Sequence, residues 1–251
     1  MATKINRIQQ LANPNGILLS SWLNRNGLNH RLQADYVKSG WLERLATGVY
    51  KFPFGKPSLF SVLSSYEQQS PLEYHIGAST ALELKGFTHF IQMGKPSAFI
   101  FTPRGKKLPP WISSFDLDMN ILEFSTSVFG EVGLERFETN GHSLRISSPE
   151  RAIMECIHLS PSHFNLMDIY YLMEMLTTLR ASLVTELLEN CSSVKVKRVF
   201  LYMAEKAAHP WFKRLKLNNV ELGSGTRSLS PGGVKNAKYD IIIPKDLAEY
   251  E

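Results

Sequence analysis

This chain has little cysteine, no long apolar run and few acids near its start. Two cysteines in 251 residues, Cys156 and Cys191, are too few for a disulfide framework. Both fall in helix-like stretches, Cys156 in a strongly apolar one, which fits buried free thiols in a reducing compartment. No segment is apolar over the length a membrane span needs. The opening residues, MATKINRIQQ, lack the apolar core and cleavage site of a secretory signal. These absences lead to the expectation of a cytoplasmic protein with no membrane partner. The hydrophobic share of 43% is ordinary for a globular chain, and the length suits one small and one mid-sized domain.

Catalytic signatures are also missing. Asp116-Leu117-Asp118 would set two carboxylates on one face of a strand, as in metal-dependent nucleotidyltransferases. The Gly-Ser helix start those enzymes need upstream is replaced by Pro109-Pro110-Trp111-Ile112-Ser113-Ser114. Glu83-Leu84-Lys85 has a metal-dependent nuclease spacing, yet no Asp occurs between Asp35 and Asp116. The glycine-rich stretch from Gly223 to Gly233 lacks the Lys-Ser/Thr pair of a phosphate-binding loop. A flexible connection explains it at least as well as a mobile phosphate-binding or partner-binding loop. The histidines and cysteines show no metal-ligand spacing. The expectation is a non-enzyme with no catalytic residue, metal or cofactor. Two alternatives stand beside it: a metabolite-responsive repressor, and a DNA-targeted nuclease or nucleotidyltransferase built on Asp116 and Asp118 or on Glu83 and Lys85.

What is present is concentrated in residues 20–52. Ser20 or Ser21 can cap a helix that carries Trp22 and Leu23 inward. Asn26-Gly27 breaks it, and Asn29 can cap the next helix. Leu28, Leu32 and Tyr36 give that helix an apolar stripe, with His30, Arg31, Gln33, Ala34 and Lys38 on its remaining surface. Gly40 ends it. Residues 41–45 and 49–52 read as a hairpin around Ala46-Thr47-Gly48. An earlier helix over residues 4–12, with Ile5, Ile8 and Leu11 on one side, completes a small domain. Three helices followed by a hairpin is the order of a winged helix-turn-helix, which places one helix in the DNA major groove. Arg and Gln have the donors to read base edges, and Lys suits phosphate.

Charge supports that reading. Residues 1–58 hold eight Lys/Arg against two acids, a net of +6, whereas the whole chain carries +5. Residues 59–194 hold nine basic and fifteen acidic residues, and residues 195–251 eleven and six. Segregated charge of this kind marks a dedicated polyanion-binding face. The expected DNA contacts are Arg25, Asn29, His30, Arg31, Gln33, Lys38, Arg44 and Lys51, with Arg31 and Gln33 on bases and Arg25, Lys38, Arg44 and Lys51 on phosphate. In the last segment Lys195, Lys197 and Arg198 read as lying mainly outward on a helix. With Arg227 they are candidate partner or phosphate contacts, although a solvated helix face accounts for them equally.

Residues 53–58, with two prolines and a glycine, suggest a boundary between a domain over 1–56 and one over 59–251. The second region mixes types: helices over 59–69, 79–85, 149–158, 166–176, 182–188 and 194–208, strands over 98–101, 116–124 and 239–243, and a hairpin over 134–146 turning at Asn140-Gly141. The fold class expected is α+β, a winged helix-turn-helix domain followed by a larger mixed α/β domain.

Residues 37–50, VKSGWLERLATGVY, closely resemble the winged-helix region of AbiEi-family antitoxins of type IV abortive-infection toxin–antitoxin systems. Residues 74–81 resemble the start of that family's second domain, and Ser148-Pro149-Glu150-Arg151-Ala152 its central helix start. Gly223-Ser224-Gly225-Thr226-Arg227 through Pro231-Gly232-Gly233 to Tyr239-Asp240-Ile241 resembles its C-terminal end. The resemblance covers nearly the whole chain. It implies repression of the protein's own operon through inverted repeats in promoter DNA, and counteraction of a nucleotidyltransferase-type toxin by the larger domain, by direct contact or without it. A monomer in solution, with two copies on DNA, would satisfy inverted repeats. Relatives often carry a basic residue just before the wing glycine. Here Thr47 stands there, so Arg44 and Lys51 would have to supply more of the wing's phosphate contact.

Overall fold

The structure, a computed structural model, describes residues 4–71, 73–88 and 94–250. The chain begins with α1 (Lys4–Leu11), β1 (Leu18–Leu19), α2 (Ser20–Arg25), α3 (His30–Lys38), β2 (Glu43–Ala46) and β3 (Val49–Lys51). This is the expected order with one addition. Strand β1 pairs antiparallel with β3, Leu18 opposite Tyr50, and the small sheet runs β1-β3-β2. Two residues are too few to show alternation in sequence, and β1 owes its form to the neighbouring strand. A bulge between Arg44 and Ala46 bends the hairpin.

Ile5, Ile8, Leu18, Leu23, Leu28, Leu42 and Phe52 make a small core under α1 to α3. Leu11 does not join it: this last residue of α1 is 53% exposed. Neither Ser20 nor Ser21 caps α2, whose N-cap is Leu19 without a side-chain bond. Asn29 does cap α3, accepting Leu32 N–H at 3.0 Å. Gly27, between α2 and α3, sits at φ +89°, a conformation that favours glycine.

Residues 53–58 form no helix or strand, yet packing crosses them. Leu18 points into the small core, while its neighbours Ile17 and Leu19 join the larger one with Val49, Leu59 and Val62. The Gln69 side chain acts as an extra strand edge for β1. It accepts Leu19 N–H and donates to Ile17 O, both at 2.7 Å. Gln69 O in turn accepts the Arg25 guanidinium at 2.6 Å.

The rest comprises α4 (Leu59–Gln69), β4 (His75–Ile76), α5 (Ala78–Leu84), β5 (Ser97–Thr102), α6 (Pro110–Ser113), β6 (Asn120–Ser125), β7 (Leu134–Thr139), β8 (His142–Ser147), α7 (Pro149–Leu159), α8 (Leu166–Met175), α9 (Ala181–Asn190) and α10 (Val194–Lys206). It ends with β9 (Arg227–Ser228), β10 (Val234–Asn236), β11 (Ile241–Ile243) and α11 (Lys245–Glu249). Five strands form a mixed sheet in the order β6-β5-β4-β8-β7. The β7–β8 hairpin turns at Asn140-Gly141, both at positive φ, as a two-residue turn requires. Helix α7 is capped by Ser148 and buried along nearly all its length, packed against α5, α8, α9 and α10. The fold is mixed α+β, as expected.

Strand β6 begins at Asn120, later than the expected residue 116. Asp116 lies before it, in an ion pair with Lys95 at 3.0 Å. Asp118 accepts Leu59 N–H at 2.7 Å, at the start of α4. The two carboxylates therefore do not share a strand face. Lys85 forms an ion pair with Glu135 and lies 4.9 Å over the Phe137 ring. The Asp116–Asp118 pairing invoked for metal-dependent catalysis is not assembled. The stretch from Gly223 to Gly233 is also more structured than a plain connection, since β9 within it pairs parallel with β11. Cys156 and Cys191 are buried and free.

Candidate nucleic-acid interface

Helix α3 presents one open face. His30, Arg31, Ala34, Asp35 and Lys38 are exposed. At 100° per residue these five fall within one 140° arc. The side chains of Arg31 and Lys38 bond to no other described residue, so their charged ends project into solvent. Asp35 on the same face is the one acid there.

Gln33 is a correction. It lies about 200° around the helix from Arg31, is fully buried, and its amide is committed. It accepts the Ser20 hydroxyl at 2.6 Å and donates to Leu28 O at 2.7 Å and Ser20 O at 3.3 Å. Its amide nitrogen is fully used and its oxygen is buried against Ser20, so the side chain is not offered to a base. Its work is to join α3 to α2. Ser20 extends the link to the wing, since its N–H donates to Gly48 O at 2.8 Å. The His30 ring completes the chain, with Nδ1 3.3 Å from Ser20 Oγ and Nε2 3.2 Å from Asn24 Nδ2. Ser20 gives its proton to Gln33 and Asn24 offers only N–H, so a neutral His30 protonated on Nδ1 satisfies both contacts.

The wing residues divide. Arg44 is exposed, and its guanidinium braces the turn by donating to Ala46 O and Thr47 Oγ1, both at 3.3 Å. Lys51 is a second correction. Its side chain is only 15% exposed, pairs with Glu43 at 2.7 Å and donates to the carbonyls of Phe52, Pro53 and Gly55. It closes the base of the hairpin. Arg25 is exposed at the surface but holds Gln69 O.

The basic residues expected to face outward on α10 are a third correction. Lys195 donates to His158 O at 2.8 Å and Ser160 O at 2.7 Å, and burial pushes its pKa down. Lys197 is 7% exposed. Arg198, also buried, binds the carbonyls of Leu222, Gly223, Gly225 and Asp240 at 2.7–3.0 Å. Helix α10 is an internal helix, so Lys195 and Arg198 are taken up by carbonyls and Lys197 is buried rather than offered to a partner. Arg227 alone of that group is exposed, and it donates to Gly225 O.

A buried ionic centre escaped the sequence reading. Glu155 of α7 accepts His75 Nε2 at 2.9 Å and Arg151 Nε at 2.7 Å through one oxygen. Through the other it accepts Ala78 N–H at 2.9 Å and Ser147 Oγ at 2.8 Å. Burial alone would raise the Glu155 carboxyl, but His75 and Arg151 outweigh it and hold it at about 2. Burial pushes the His75 pKa down against the opposing pull of Glu155. A Cβ on Gly77 would collide with Glu155 Oε2. Arg151 and Glu155 stand four apart in an apolar helix, and that spacing was the available signal.

Comparisons with known proteins span nearly all of the chain. A family model described as the N-terminal domain of the AbiEi antitoxin, a transcriptional regulator, matches residues 1–93. A second, described as the AbiEi antitoxin and transcriptional regulator of type IV toxin–antitoxin systems, matches residues 95–244. The chain belongs to the AbiEi antitoxin family. The first AbiEi match runs past residues 53–58 and through α5. No curated protein matches the chain. Among solved structures, the crystal structure of the RV2827C protein from Mycobacterium tuberculosis shares the fold, with a TM-score of 0.63 at 13% identity over 97% of this chain and 92% of that one. This AbiEi chain is thus an antitoxin and transcriptional regulator of the type IV class, a regulatory family rather than an enzymatic one. Among the described residues no helix is long and apolar enough to cross a membrane.

Proposed function

We propose that residues 1–56 are a winged helix-turn-helix that binds double-stranded promoter DNA and represses the protein's own operon. The carrying observation is the open α3 face, where Arg31 and Lys38 are exposed and unpaired in a segment of net +6. Helix α3 enters the major groove, Arg31 contacts a base edge, and His30, Asn29 and Lys38 flank it. Arg44 steadies the wing beside the groove. Two copies occupy the two arms of an inverted repeat, and no stable dimer is needed in solution. The larger domain counters a nucleotidyltransferase-type toxin, and the protein acts in the cytoplasm.

Mobility shifts on the protein's own promoter fragment, paired with a promoter–reporter assay, test the first half. Specific retardation and repression are expected; binding no tighter than to random duplex overturns it. Co-expression with the adjacent gene product tests the second half, with growth rescue expected. An adjacent reading frame without a nucleotidyltransferase pattern would remove its basis.

A cavity of about 310 Å³ whose lining mixes Phe87, Phe99 and Phe164 with Glu83, His163 and Asp168 favours a second reading, a metabolite-responsive repressor. A saturable rise in melting temperature with a small ligand carrying both apolar and polar groups would support it.

A further inference from the structure

Residues 59–194 hold six more acids than cations. In that surplus, every cation outside one turn lies within ion-pair distance of a carboxylate, from Lys85 with Glu135 to Arg180 with Glu150. The exceptions are Arg104, Lys106 and Lys107. All three are exposed, all three stand on the turn over residues 103–107 between β5 and α6, and none bonds through its side chain to another described residue. Acids are abundant in this region, yet none closes on the turn. Glu123, beside it, accepts Leu108 N–H at 2.6 Å, and Glu131 pairs with Arg145.

The turn is also built to hold its shape. Thr102 Oγ1 donates to Lys106 O and Ser125 Oγ to Pro103 O, both at 2.9 Å, while Gly105 N–H donates to Ser125 Oγ at 3.1 Å. Three cations on a braced turn lose little backbone freedom on meeting a partner. Arg104 lines a small cleft with Glu73 and Glu131, neither of which forms an ion pair with it. Glu73 stands four residues beyond Gln69, at most about 14 Å of extended chain, and Gln69 carries Arg25. The turn is therefore near the C-terminal end of α4, the end that holds the Arg25 side chain.

We infer that this turn is a second phosphate-backbone contact, taken by duplex DNA flanking the half-site that α3 reads. The inference rests on the DNA-binding reading above. A nucleic-acid backbone fits better than a carboxylate-bearing protein, because each cation on duplex DNA releases condensed counterions, whereas exposed protein ion pairs contribute little.

The test uses the full chain and a duplex selected by the wild-type protein from a random library. It is prepared as a minimal half-site and with about one helical turn, ~10 base pairs, added on each side. Arg104→Ala, Lys106→Ala and Lys107→Ala are combined in one variant. Fluorescence anisotropy is read at several salt concentrations, with melting temperature as the folding control. The variant is expected to bind the flanked duplex about tenfold more weakly at low salt. Its log–log salt slope is expected to be shallower by about 2–3, with no change on the minimal duplex. Equal affinity and slope for both proteins on the flanked duplex overturns the inference, as does an equal loss on both duplexes. Intact DNA binding with lost toxin rescue assigns the turn to a protein partner and overturns it too. A wild-type protein that selects no duplex sinks the DNA-binding reading itself, a different failure.

Discussion

The two parts of this molecule use positive charge in opposite ways. In residues 1–58, where cations outnumber acids four to one, the single described ion pair is Lys51 with Glu43, and α3 leaves Arg31 and Lys38 open. In the larger part most cations are consumed, by carboxylates on the sheet side and by backbone carbonyls around α10. Net charge alone would make residues 195–251, at +5, a binding segment nearly equal to the first. Three of its cations are withdrawn, Lys195 and Arg198 onto backbone carbonyls and Lys197 by burial, while Lys213, Arg214 and Lys216 stay exposed. A cation marks an interface only when the fold leaves it unpaired.

The largest effect expected on that contrast is in the buried pairs. Glu155→Gln leaves the Arg151 guanidinium uncompensated and should destabilise the protein by about 3–5 kcal/mol in denaturant unfolding. The Glu155 carboxyl is held at about 2, below its ordinary 4.5. Its contribution is therefore complete above pH 4.5 and lost as pH falls toward 2. A variant that keeps full stability and the same acid limb would show the centre to be neutral for folding.

Next is Gln33. Gln33→Leu strands the Ser20 hydroxyl and Leu28 carbonyl and should cost about 1–3 kcal/mol of stability. Operator discrimination should fall with it, because the α2–α3–wing link is cut. If stability is unchanged while only DNA affinity falls, the side chain reaches DNA and its assignment to the interior is wrong.

On the open face, Arg31→Ala should lose about 1–3 kcal/mol of operator affinity and relax preference at one base pair. Lys38→Ala should weaken all sequences alike and lower the salt slope by about 1. The smallest effect belongs to Lys51→Ala. Its partners are Glu43 and backbone carbonyls, so DNA affinity should move by less than about 0.5 kcal/mol, within the range of ordinary surface changes. A loss equal to that of Lys38→Ala would restore Lys51 to the interface.

Much of this was legible in the chain. The helices and hairpin of residues 4–52, the Asn29 cap, the Asn140-Gly141 turn and the Ser148-Pro149 helix start follow from local chemistry, and the structure keeps them. Gln33 was legible too, and misread: it falls on the apolar side of α3 by helical period, but its polarity suggested the surface. Other features were beyond local reading. Strand β1 is two residues made extended by β3. Helix α10 shows basic residues in sequence, yet only tertiary packing reveals that carbonyls receive them. The joining of Gly77, Ala78 and His75 to Glu155 spans about eighty residues. It explains why two motifs that resemble the family, around residues 74–81 and 148–152, lie together.

The central claim is that the open face of α3 reads operator DNA. Anisotropy titrations of a wild-type-selected duplex against single base-pair variants of it, with wild type and Arg31→Ala compared at several salt concentrations, test it most directly. Arg31→Ala is expected to bind the selected duplex about 5–150-fold more weakly and no longer to distinguish one base pair, while its salt slope changes by no more than about 1. Equal affinity and equal discrimination by the two proteins would contradict it and take α3 out of the interface.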